Sequence, residues 1–129
     1  MKKLMALAPA LAALSLGGCF GPNHNEQLAD QVTKAIVAND MRPVEGDFNA
    51  LVRPRLLNRA RVGELSDELN GLGAFRRVKE TTPKDATQGQ HTFDAEFAKA
   101  TWKEVMTLDS EGKIASFYVR PPRPTTTGG

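Results

Sequence analysis

The sequence predicts an α+β domain in which N-terminal helices pack on a four-stranded antiparallel sheet. Apolar residues recur at spacings of three and four between residues 23 and 73, which is typical of amphipathic helices. From Ala74 onward the period changes to the alternation of strands. Because helices precede strands without alternating with them, the order favours helices on one side of an antiparallel sheet.

The first helix is predicted to begin at Asn23, because Glu26 follows three residues later as in a capping box. It ends near Asn39 and Asp40. Its apolar stripe at helical spacing consists of Leu28, Val32, Ala35 and Ile36. This helix must therefore pack against another part of the domain.

Two shorter helices are predicted next. Asp47 is suited to cap the first of them, with Phe48, Leu51 and Val52 on its inner side. Pro54 either limits this helix or opens the following turn, which leads Leu56 and Leu57 inward. The last helix places three leucines at spacings of four and three and stops at Asn70, Gly71 and Gly73; the leucines are Leu65, Leu69 and Leu72.

Four strands follow, with the sequences FRRVKETT, HTFDAEFAK, TWKEVMTL and KIASFYV. Gly112 suits the left-handed position of the last turn. The prolines after Arg120 end the sheet, since proline cannot donate to a ladder. We therefore expect one domain over residues 25–122 and a disordered tail over 123–129.

The N-terminus has the three parts of an export signal. Lys2 and Lys3 precede an apolar run from Leu4 to Leu16, which is too short to span a bilayer as a stable anchor. The segment Leu16-Gly17-Gly18-Cys19 resembles the lipobox of bacterial lipoproteins. That resemblance implies removal of residues 1–18, a diacylglyceryl group on Cys19 and a lipidated tether over residues 19–24.

The lipobox resemblance also bears on location and charge. Phe20 after the cysteine favours the outer membrane, facing the periplasm, under the enterobacterial sorting pattern. Removing residues 1–18 leaves 15 basic and 15 acidic side chains, so the mature chain is formally neutral. A neutral domain gives no argument for nucleic-acid binding, and no nucleic acid is expected as a partner. The mature chain has no second cysteine for an intramolecular disulfide.

Three short motifs resemble domains of the nuclear-transport-factor-two-like, cystatin-like superfamily. They are Gly46-Asp47-Phe48, Leu72-Gly73-Ala74-Phe75 and the segment LDSEGKI at residues 108–114. The resemblance implies a sheet curved around the first helix, which leaves a conical pocket. Members of this superfamily include enzymes, binding modules and assembly domains, so the fold does not determine the function.

Glu104 and Tyr118 are the sharpest candidates for a catalytic acid/base pair in such a pocket. Glu104 shares strand parity with Trp102 and Met106, so it is predicted to face inward. The predicted pocket lining is Trp102, Glu104, Met106 and Tyr118. The alternative is a surface glutamate in cross-strand contact with a half-buried tyrosine.

Other chemistry has weaker support in the sequence. His24 and His91 show no metal-ligand spacing, and no phosphate-binding glycine loop, dinucleotide motif or nucleophile elbow is recognisable, so neither a metal nor a cofactor is expected. Four arginines form a candidate anion-binding patch for phosphates or acidic glycans, against the alternative of a solvated helix face; they are Arg53, Arg55, Arg59 and Arg61.

The last strand suggests a covered second face. Ile114 and Tyr118 are predicted to point one way, with Phe117 and Val119 the other way, so both faces carry large apolar side chains. A partner or a second copy covering the sheet would explain this pattern.

Taken together, these patterns predict a lipid-anchored envelope protein with a non-enzymatic module. The module is predicted to bind an apolar ligand or an envelope protein partner. A homodimer formed through the sheet is a further prediction. The alternative is a small isomerase-like or hydrolase-like enzyme using Glu104 and Tyr118.

Overall fold

A computed structural model describes residues 23–122 of the chain. The predicted signal peptide, the predicted lipidation site Cys19 and the predicted tail 123–129 lie outside the described residues. In chain order, the elements are α1 (His24–Val37), a 3-10 helix (Arg42–Asp47), α2 (Arg53–Leu56), α3 (Arg59–Asn70), β1 (Phe75–Glu80), β2 (Gln90–Phe97), β3 (Thr101–Leu108) and β4 (Ile114–Arg120). The helices and the open four-stranded antiparallel sheet confirm the predicted α+β class.

Helix α1 begins where the sequence predicts. The Asn23 side chain accepts a hydrogen bond from the Glu26 backbone N–H at 2.7 Å. In a complete capping box, the Glu26 side chain would accept from the Asn23 backbone N–H. Here Glu26 Oε2 instead accepts from the backbone N–H of Glu80, which is distant in sequence, at 2.8 Å. Glu26 therefore connects the start of α1 to the end of β1.

The prediction that Asp47 starts a helix is wrong. Asp47 is the last residue of the 3-10 helix, whose N-terminal turn contains Pro43, while Pro54 lies in the first turn of α2. Of the side chains predicted to face inward here, Phe48 is buried but Leu51 is 89% exposed. Pro54 therefore opens the next turn, and the residues before it form a loop.

Helix α3 confirms the predicted C-terminal end at Asn70. It is capped at its start by Asn58, whose side chain accepts from the Arg61 backbone N–H at 3.2 Å. Ser66 and Asn70 both donate to the Val37 carbonyl oxygen, at 3.2 and 3.0 Å. These bonds fix the C-terminal half of α3 to the end of α1.

The four strands pair in the order β1-β2-β3-β4, all antiparallel. One face of the sheet packs against α1 and buries the alternating residues that the sequence predicts, Phe93, Ala95 and Phe97. The core between helix and sheet also contains, among others, Val32, Ile36, Leu69, Met106, Ile114 and Phe117.

A β-bulge in β4 overturns the prediction that this strand has two apolar faces. Leu108 pairs with Ile114 but Thr107 pairs with Ser116, so β4 has one extra residue, Ala115. The bulge places Ile114 on the same inner face as Phe117 and Val119. The reason for expecting a covered outer face is thereby removed, and a homodimer stays a prediction without that support.

The outer face of the sheet carries cross-strand charge pairs. Arg77 pairs with Glu96 at 3.1 Å and Lys103 with Asp94 at 2.5 Å. Tyr118 and its cross-strand partner Val105 are the large apolar residues of this face; Val105 is buried, and Tyr118 is 44% exposed beneath the Arg120 guanidinium. Such a face is stable in water without a covering layer.

The turn between β3 and β4 is held to the segment after the 3-10 helix. Gly112 has φ of 82°, as predicted, and Asp109 Oδ1 accepts from the backbone N–H groups of Glu111 and Lys113. Asp109 Oδ2 accepts from Asn49 Nδ2 at 2.7 Å. The Asn49 backbone N–H in turn donates to the Ile114 carbonyl oxygen.

Candidate functional site

An apolar cleft of about 310 Å³ opens between α1, α3 and the edge strand β4. Its walls include Val32 and Ile36 of α1, Val62 and Leu65 of α3, and Phe117 and Val119 of β4. The cleft exists because α3 is fixed to the far end of α1, which leaves apolar side chains of α3 and β4 on opposite walls. Its volume is at the small end of the range for ligand sites, about 300 Å³ and upward.

Three charged side chains of α3 also line the cleft. They are Arg61, Glu64 and Glu68, and all are exposed. None forms a side-chain hydrogen bond or ion pair with another of residues 23–122. An apolar wall with charged groups of both signs at its rim suits a molecule or side chain that has an apolar body and a polar end.

Glu104 lies behind the cleft on the inner face of β3, as its parity predicts. Its side chain is fully buried, and its cross-strand neighbours are Phe93 and Val119. Glu104 Oε2 lies 2.5 Å from Thr33 Oγ1 of α1, and Thr33 also donates to the Ala29 carbonyl oxygen at 2.8 Å. Glu104 Oε1 is buried and has no partner among the described residues.

Burial raises the pKa of Glu104 to about 8, because an ionised carboxylate would lose its hydration there. The hydrogen bond from Thr33 opposes this shift, and the negative charge of Asp30 adds to it. Thr33 Oγ1 has a single proton and two acceptors within hydrogen-bond distance, Glu104 Oε2 and the Ala29 carbonyl oxygen, so its bond to the carboxyl group offsets only part of the effect of burial. Glu104 is therefore mostly protonated at neutral pH.

The structure does not bring Glu104 and Tyr118 together as a pair. Tyr118 is opposite Val105, on the outer face, whereas Glu104 is opposite Val119 on the inner face. Trp102 and Met106 share the inner face with Glu104, but of the four predicted pocket residues only Tyr118 borders the cleft. The parity of Glu104 was predicted correctly, but Tyr118 lies on the opposite face of the sheet.

The four arginines of the predicted anion patch have different surroundings. Arg53 donates from Nη2 to the Phe48 carbonyl oxygen, and Arg55 is exposed. Arg59 borders a polar cavity near Asn39 and Asp40, while Arg61 lines the apolar cleft. The segment is basic, but its guanidinium groups are distributed over separate parts of the surface.

His91, at the start of β2, is half-buried. Its Nδ1 lies 3.0 Å from Glu80 Oε2, which also accepts from Thr82 at 2.6 Å. Partial burial opposes ionisation of Glu80, but the hydrogen bonds from Thr82, His91 and Asn23 together lower its pKa. This network closes the start of α1 onto the sheet, and none of the described cavities is bordered by His91.

Sequence reasoning did not single out Thr33, Val62 or Leu65 as site residues. Thr33 lies next to Val32 on the inner side of α1, and this polar residue on an apolar stripe was the available signal. Leu65 was predicted to be inward by helical spacing. That it faces β4 across a cleft depends on how α3 is fixed to α1.

Comparison of the chain with protein-family models, curated proteins and solved structures finds no significant match. Among residues 23–122, no helix has the length and apolar character that crossing a membrane requires. The same part of the chain contains no cluster of three or more histidine and carboxylate side chains suited to a metal ion.

Proposed function

We propose that the protein is a lipid-anchored envelope protein whose domain binds an apolar group in the cleft between α1, α3 and β4. The group belongs to a small ligand or to an envelope protein partner. The lipobox-like segment ending at Cys19 supports the anchor, and Phe20 supports the outer membrane, facing the periplasm, as its location.

The observation that carries this proposal is the apolar wall itself. Leu65 and Val119 are only partly buried, and no described residue fills the space between the two walls. Transfer of apolar surface from water is favourable by about 25 cal/mol per Å², so an apolar occupant stabilises these walls. The charged side chains at the rim then interact with the polar end of the occupant, which stays in water.

We also propose that the domain is a nuclear-transport-factor-two-like cone. Three features support this: the order of helices before strands, the position of α1 across the inner face, and the bulges in β1 and β4. Bulges bend a strand and increase its twist, which curves a sheet around a helix.

The enzymatic alternative retains one supporting observation, the raised pKa of Glu104. However, Glu104 has no exposed surface, and Tyr118 lies on the other side of the sheet. A general acid must come within hydrogen-bond reach of its substrate. The geometry therefore favours a binding role over catalysis.

A charge placed in the cleft tests the binding role. The Leu65→Glu variant puts a carboxylate on the apolar wall, and burial of an unpaired charge is costly. We expect the wild-type protein to enhance the fluorescence of an environment-sensitive naphthalene dye, and the variant to lose that enhancement. Circular dichroism checks that the variant is folded.

Leu51→Glu is the matched control, because Leu51 is exposed and lies outside the cleft. This variant is expected to bind the dye as the wild type does. Equal dye binding by wild type and Leu65→Glu would exclude the cleft as the binding site.

A further inference from the structure

Leu51 is the most exposed large hydrophobic residue among the described residues, at 89%. It is flanked by the exposed Ala50 and the half-buried Val52, so three consecutive apolar residues form the tip of one loop. Single exposed leucines are common on protein surfaces and need no special explanation. Leu51 differs from such residues in two ways: hydrogen bonds hold its loop, and the loop lies at the end of the domain where α1 begins.

The loop is held by hydrogen bonds on both sides of Leu51. Asn49 Oδ1 accepts from the Leu51 backbone N–H at 2.8 Å, and the Asn49 carbonyl oxygen accepts from the Arg53 backbone N–H at 3.1 Å. Arg53 Nη2 donates back to the Phe48 carbonyl oxygen. Together with the bond from Asn49 to Asp109, these contacts present the leucine to solvent on a fixed turn.

This loop is at the end of the domain where α1 begins. His24 and Gln27 of α1 border a small cavity together with Asp47 and Lys113, and Leu51 follows Asp47 by four residues. Asn49 is bonded to the β3–β4 turn at the same end. The start of α1, this turn and the Leu51 loop are therefore neighbours.

The tether limits how far this end can be from a lipid anchor. Four residues separate Cys19 from His24, and a fully extended chain spans at most about 3.6 Å per residue. A lipid on Cys19 would thus hold the start of α1 within roughly 20 Å of the bilayer surface. The exposed leucine is on the part of the domain that this short tether keeps nearest to the membrane.

The charges around the loop permit contact with phospholipid headgroups. Residues 48–63 contain four arginines and no carboxylate, and Arg55 is exposed without an ion pair to any described residue. Guanidinium groups pair well with phosphate oxygens. Asp47 and Glu111 are at the same end, so apolar insertion and a local arginine contact, rather than net charge, must hold the loop.

We propose that the Leu51 loop is a second membrane contact, which inserts its apolar tip into the phospholipid surface that holds Cys19. This inference rests on the proposed lipid anchor. The loop would orient the domain on the membrane, because attachment at one point leaves it free to rotate.

A fluorophore at position 51 tests this arrangement in the full chain. The sequence has one cysteine, so in a Leu51→Cys variant with a lipidated Cys19 the only free thiol is at position 51. The variant is purified from membranes, labelled with a nitrobenzoxadiazole dye and reconstituted in vesicles of phosphatidylethanolamine and phosphatidylglycerol. Ala38→Cys, an exposed position at the other end of α1, is the control.

We expect blue-shifted emission and quenching by spin-labelled lipid at position 51, and neither effect at position 38. Equal exposure to water at both positions, with lipid present on Cys19, would overturn the loop contact and leave the anchor standing. Mass spectrometry before labelling reports the lipid directly. A chain without lipid on Cys19 would overturn the anchor and this inference together.

Discussion

At the scale of single residues, Glu104 is the unusual feature of the domain. A fully buried carboxyl group with one unpartnered oxygen favours the neutral acid, because burial removes the hydration that the ionised form needs. The hydrogen bond from Thr33 favours the ionised form, but burial outweighs it. The pKa of about 8 makes the stability of the fold sensitive to pH in the neutral range.

The pH dependence has a definite sign. The folded-state pKa of Glu104 lies above its unfolded value of 4.5, so its contribution to stability is full below that value and is lost as pH rises towards 8. We expect the free energy of unfolding of the wild type, relative to Glu104→Gln, to fall by roughly 1 kcal/mol per pH unit in this window. Urea unfolding of both proteins between pH 5 and about 9 measures the difference.

Comparison with the glutamine variant isolates this effect. The lowered pKa values of Glu80 and Asp109 act in the opposite direction at acid pH, but they are common to both proteins. A constant difference in unfolding free energy across the window would show that Glu104 does not titrate from a buried state.

At the scale of elements, close backbone approach decides which glycines are required. Gly89 precedes β2 with φ of 83°, and a Cβ atom there would be 2.7 Å from the Leu108 carbonyl oxygen. The Gly89 carbonyl also accepts from the Leu108 backbone N–H at 2.8 Å. Gly63 is different, because it lies inside α3 and a Cβ atom there meets nothing within 4 Å.

Substitution of these two glycines by alanine is expected to change the free energy of unfolding in opposite directions. Gly89→Ala should destabilise the domain by about 2 kcal/mol or more, through a strained left-handed conformation and a backbone clash. Gly63→Ala should stabilise it by about 0.5–1 kcal/mol, because alanine has the higher helix propensity. Chemical denaturation of both variants gives the values, and destabilisation by Gly63→Ala would contradict the position of α3.

At the scale of the whole molecule, the sequence was informative where a local pattern determines the structure. Asn23 before Glu26 located the start of α1, and the alternation around Phe93 identified the buried face of β2. Glu104 was correctly assigned to the inner face by its parity with Met106. The cleft could not be predicted, since it depends on how α3 and β4 are placed relative to each other.

The errors have a common physical origin. The bulge at Ala115 depends on pairing with Leu108 across the turn, so strand periodicity alone placed Ile114 and Tyr118 on the same face. Leu51 was placed on the inner side of a predicted helix, but its backbone N–H donates to Asn49 Oδ1 in a loop that leaves it exposed. In both cases a specific hydrogen-bonded arrangement of the backbone overrode the periodicity of the sequence.

The central claim is that an anchored domain holds an apolar group in its cleft, and mass spectrometry of the protein purified from envelope membranes tests it most directly. Under denaturing conditions we expect a chain that begins at Cys19 and carries lipid. Under native conditions we expect an additional bound molecule or polypeptide, which is absent from the Leu65→Glu variant. A chain that retains residues 1–18 would contradict the account. So would the same additional bound mass, or none, on both the wild type and the variant.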